Sequence, residues 1–163
     1  NAITDAQKDR AREIFALYGN YMGIQFVETE TLGITVSTGD LFAAGTGATS
    51  APGGTAGLGG GDLLVMDAQD FSNPADDRPF GSWFRVAIHE IGHTINLGHA
   101  SDLPDGTSMK VGAPPLTFGQ AVEPDFPGDH DIVHGQLLYR SEEHTSELQL
   151  RRNLVCRSLL AKK

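Results

Sequence analysis

The feature that most constrains this chain is a group of three histidines within eleven residues, His89, His93 and His99. His89 and His93 are four apart, so on a helix they lie one turn apart and about 40° out of register, and both imidazoles can reach one ion. The apolar positions Trp83, Phe84, Val86, Ala87, Ile88 and Ile91 predict that helix, from an N-cap at Ser82 to about Ile95. His99 follows Asn96 and Gly98, residues that end a helix and turn the chain, so a third imidazole can be folded back. Three protein ligands leave a fourth position for water, as in a catalytic rather than a structural zinc site. Glu90 sits about 100° further round the helix than His89, so it flanks such an ion, where it can take a proton from an activated water. The bland alternative is a helix carrying three unrelated histidines and a surface glutamate.

Composition bounds the rest. The chain has 163 residues and a net charge of −9, with 39% hydrophobic and 20% charged residues, which fits one soluble globular domain with a real core. The acidic balance argues against nucleic acid or an anionic membrane as partner. No apolar run approaches the roughly 20 residues of a membrane span. The single cysteine, Cys156, excludes an internal disulfide framework and a cysteine-based zinc cluster.

The two ends differ from the middle. The sequence opens on Asn1 rather than Met, so the true start and any signal peptide are expected to lie outside it. All 20 Gly and all 8 Pro precede Arg140, and residues 140–163 carry 6 Lys+Arg against 3 Glu. The run Arg140-Ser141-Glu142-Glu143-His144-Thr145-Ser146-Glu147-Leu148-Gln149 resembles a translated sequencing adapter. Residues 1–139 are therefore read as the domain and 140–163 as a non-native tail, in which His144 and Cys156 would carry no biology. The alternative is a basic helical tail with Leu148, Leu150, Leu154, Val155 and Leu159 as a loose stripe.

Along the domain, Thr4 and Gln7 form a capping box, and Ala11, Ile14, Phe15, Tyr18 and Met22 make the stripe of a core-facing helix that could stop at Gly19. Ile24–Val27 and Ile34–Ser37 read as short strands, and Leu63–Met66 as another. Residues 43–61, eight of them glycine, read as a surface loop, because neither a phosphate-binding lysine nor a following helix is present. The polar loop from Asp67 to Gly81 offers oxygen ligands, so calcium is a second candidate metal, although EF-hand spacing is absent. His130 and His134 lack a third ligand and read as a surface face. Asp125, Asp129 and Asp131 are taken as part of a solvated segment.

The pattern His89-Glu90-Ile91-Gly92-His93-Thr94-Ile95-Asn96-Leu97-Gly98-His99, with a later Gly106-Thr107-Ser108-Met109, resembles the metzincin zinc endopeptidases, and the order of elements is most similar to a bacterial matrixin. The resemblance runs from about Thr4 to Tyr139. It implies an α+β catalytic domain: a small twisted mixed sheet, a zinc-binding helix, a methionine turn at Met109 and a closing helix over Asp131–Tyr139. It further implies that His89, His93 and His99 bind zinc, that Glu90 is general base and acid, and that the protein is secreted. Three departures stand out. Asn96 replaces the usual glycine of a turn that needs positive φ, which Asn tolerates next best. Val111 stands where some branches have a tyrosine ligand, so none is expected. No strand precedes the first helix, so the sheet is expected to lack its first strand. A second, structural zinc has no upstream histidines to hold it.

The function expected is hydrolysis of an extended polypeptide lying antiparallel to an edge strand near Leu63–Met66, with Lys110 to Phe118 walling the side-chain pocket. Two rivals are a non-catalytic metal-binding module of a larger secreted protein and a hydrolase of small amides. An intact Glu90 argues against the first, and the exposed strand and long ligand spacing against the second.

Overall fold

A computed structural model describes residues 3–100, 108–109 and 127–139, together with the backbone of 151–156. Helix α1 spans Asp5–Met22 behind the capping box: Gln7 N–H donates to Thr4 Oγ1 and Thr4 N–H to Gln7 Oε1, both at 3.1 Å. Ala11, Ile14, Phe15, Tyr18 and Met22 are all buried, as their spacing requires. The helix runs past Gly19 and ends at Gly23, in the left-handed conformation with φ 75°. Gly19 has a different reason to be glycine, since a Cβ there would press on the Ile24 carbonyl as the chain turns back.

Strands β1 (Gln25–Glu28), β2 (Ile34–Gly39), β3 (Gly57–Gly60), β4 (Leu63–Asp67) and β5 (Arg151–Cys156) form a mixed sheet in the order β1-β5-β2-β4-β3. β2 and β4 run parallel, with Thr35 opposite Leu63 and Gly39 opposite Asp67. β3 and β4 run antiparallel, with Gly57 opposite Met66. β5 lies between β1 and β2, parallel to both, so the sheet position beside the first two strands is filled from far along the chain.

This sheet corrects two expectations. Leu63–Met66 is a strand but not an edge, because β3 covers its outer side. The edge is β3 itself, drawn from the glycine run read as a loop. Glycine is used there because α2 packs across it: a Cβ on Gly59 would overlap the Glu90 backbone carbonyl, and one on Gly57 would crowd Glu90 Cγ and Met66 Sδ.

Helix α2 (Ser82–Thr94) buries Trp83, Phe84, Val86, Ala87, Ile88 and Ile91 between α1 and the β3–β4 edge. Its N-cap is Gly81 rather than Ser82. A side chain at 81 would strike the Asp76 carbonyl, and Ser82 instead donates through Oγ to Asp76 Oδ1 at 2.6 Å. Helix α3 (Asp129–Tyr139) closes against α1, with Gly135 fitted over Met22. The fold is thus α+β, with three α-helices and a mixed sheet among the described residues. No helix among the described residues is long and apolar enough to cross a membrane.

Candidate metal centre

The last turn of α2 sets the site. Asn96 adopts φ 66°, the left-handed turn expected of it, and Leu97 N–H returns to the Gly92 carbonyl at 3.0 Å. The chain thereby folds back and carries His99 to the helix. His93 Nε2 lies 3.1 Å from His89 Nε2 and 3.0 Å from His99 Nε2. The ligand atoms of all three histidines lie within 4.8 Å of one another. His89 and His93 are half-buried, and His99 is exposed.

The hydrogen bonds on the far side of each ring decide what these nitrogens can do. His89 Nδ1 is 2.6 Å from the Ser108 carbonyl, and His93 Nδ1 is 2.9 Å from the Leu97 carbonyl. A carbonyl only accepts, so both Nδ1 atoms carry the proton and both Nε2 atoms present lone pairs. Two facing lone pairs at 3.1 Å cannot hydrogen-bond to each other, and a cation placed between them would satisfy both. A tetrahedral ion with bonds of about 2.0–2.1 Å separates its donors by about 3.3 Å, close to the two spacings seen. Burial also keeps the rings neutral: it lowers the His89 pKa to about 4 and lowers that of His93 as well, in both cases against the pull of the carbonyl bond. The set therefore fits a metal ion that takes imidazole nitrogen. His93→Ala, which removes the central nitrogen, is expected to abolish stoichiometric metal binding, as measured by dialysis and elemental analysis.

Glu90 is buried and is not part of this group. Its side chain lies against Gly57, and the Gly59 backbone N–H bonds its carboxyl. Burial raises its pKa to about 7, with the Gly59 bond opposing. Such a group gains and loses a proton readily at neutral pH.

Met109 is buried directly beneath the helix, where a Cβ on Gly92 would collide with its Sδ. Gly106, Thr107, Val111 and the segment Lys110 to Phe118 lie outside the described residues, as does Asp125. His130 and His134 are exposed on α3, in keeping with a surface face. Asp131 is not solvated: it is 3% exposed, and its Oδ2 accepts from Ser108 N–H at 2.6 Å, Ser108 Oγ at 2.8 Å and Gly128 N–H at 2.9 Å. A carboxylate in a first helical turn ordinarily faces water near the positive end of the helix dipole. Ser108, arriving from 23 residues earlier, supplies two of the donors that hold this one in the interior.

In the loop proposed for calcium, Asp77 accepts from Thr4 Oγ1 and Gln7 Nε2, and Asp76 accepts from Ser82. Those carboxylates tie the two helix starts together. Among the described residues, the three histidines are the one group of three or more His, Cys, Asp or Glu side chains placed to share an ion. The sequence matches no protein-family model and no curated protein.

Proposed function

We propose that this protein is a secreted zinc endopeptidase of the metzincin type, hydrolysing extended polypeptides, with His89, His93 and His99 as zinc ligands and Glu90 as general base and acid. The observation that carries the reading is the convergence of three imidazole nitrogens, with the tautomers of His89 and His93 leaving lone pairs facing each other, beside a buried carboxyl poised near neutrality. When bound, zinc supplies Lewis acidity and a water acidified to a pKa of about 7. Glu90 takes the proton of the attacking water on its carboxylate and passes it to the leaving amine nitrogen. The Gly59 N–H holds that carboxyl in place throughout.

The polypeptide adds to the β3 edge, Gly57–Gly60, which runs alongside Glu90. The Asn96 turn and the resemblance of the histidine pattern to metzincins support the same reading.

The test is cleavage of an unfolded protein by the purified chain. Hydrolysis is expected with zinc, is expected to stop on chelation and to return when zinc is restored. Tight zinc binding without any hydrolysis would establish a metal-binding module and remove the enzyme assignment.

A further inference from the structure

The histidines do not orient themselves. The carbonyl that fixes the His89 ring belongs to Ser108, and the next carbonyl, of Met109, accepts from Ala100 N–H at 2.9 Å, immediately beyond His99. Two consecutive carbonyls of one turn therefore hold both ends of the ligand set. What holds that turn is Asp131, the buried carboxylate of α3, through the backbone N–H and the hydroxyl of Ser108. Tyr18 of α1 meets the same place: its buried hydroxyl donates to the Ile88 carbonyl at 2.8 Å and lies 3.3 Å from Ser108 Oγ.

We infer that Asp131 is a positioning residue of the metal centre, acting through the Ser108–Met109 turn on His89 and on the segment carrying His99, so that docking of α3 and metal affinity are coupled. This rests on the three histidines holding a metal, but not on the chain being a peptidase. The physical basis is that a ligand ring kept in one tautomer and orientation by an outer partner binds metal more tightly, by roughly 10–100-fold. Asp131 sits one hydrogen bond further out, at the anchor of that partner. Because binding linkage is reciprocal, an ion on the histidines must in turn favour the docked state of α3.

The test compares zinc affinity, by competition with a chromophoric chelator, in the full chain and in two variants. Asp131→Asn keeps the size but either turns an amide NH₂ toward the three donors or replaces the charged oxygen on which all three converge with a neutral one, and should weaken zinc binding by about 10–100-fold. Asp129→Asn removes the same charge from an exposed position in the same helical turn and should leave affinity unchanged. Amide exchange of residues 132–139 in the unmodified chain, with and without zinc, reads the reverse direction without any variant, and protection should rise with zinc. Unchanged affinity in Asp131→Asn, or α3 exchange indifferent to zinc, overturns the inference while leaving the metal site standing. If the unmodified chain binds no zinc, the inference and the proposed function fall together.

Discussion

Glu90→Gln is expected to reduce peptide hydrolysis by about 10²–10⁴-fold while zinc stoichiometry stays at that of the parent chain. The amide keeps the size of the side chain and can still accept from Gly59 N–H, but it can no longer take up a proton. The same variant carries a second signature, in stability. In the folded chain Glu90 holds its proton up to about pH 7, whereas in the unfolded chain it ionises near the ordinary glutamate value of 4.5. Its contribution to stability is thus present below the unfolded value and lost as pH rises toward 7. After chelation, Glu90→Gln should therefore be more stable than the parent at pH 8, by roughly 1–3 kcal/mol, and show little advantage at pH 4. Denaturant melts at the two pH values read this directly. A variant that loses activity but gains no stability at high pH would mean that the carboxyl is not buried as described.

Gly59→Ala is expected to cost about 3 kcal/mol or more, a large share of the stability of a domain this size. The added methyl would occupy the space of the Glu90 carbonyl, a backbone atom in the middle of α2, so no rotamer change relieves it. Either β3 peels from β4 or α2 moves off the sheet, and both displace Glu90. Gly60→Ala, one residue on, meets nothing within 4 Å and should cost well under 1 kcal/mol. Thermal melts of the two variants side by side separate collision from the general effect of replacing glycine.

The contrast between those neighbours shows where sequence reading succeeds and fails. The stripe from Ala11 to Met22 and the turn at Asn96 are local: periodicity gives the first, and a residue tolerant of positive φ gives the second. The three histidines are legible for the same reason, since their spacing within one helix and its exit turn fixes their meeting. The glycine run from 43 to 61 is not legible, because low complexity looks alike whether it faces water or the back of a helix. Only the packing of α2 distinguishes Gly59 from Gly60. Asp131 is hidden in the same way. Its burial depends on a turn 23 residues earlier, and nothing in its own neighbourhood marks it out from the exposed Asp129.

The spacing of the site along the chain has a consequence for how metal acts on the fold. All three imidazoles fall within eleven residues, so an unfolded chain already carries the complete donor set and needs to close only short loops to use it. The groups that lock the arrangement come from much further away: Tyr18 is 70 residues from the carbonyl it caps, and Asp131 is 23 from the turn it anchors. On the proposed reading, zinc would be captured loosely before the chain has folded and tightened when α1 and α3 arrive. An ion that binds both ends of the folding reaction shifts it by the ratio of its two affinities, not by the tighter one alone. If the ion is zinc, as proposed, it is expected to protect this protein against unfolding by less than its affinity for the finished site suggests.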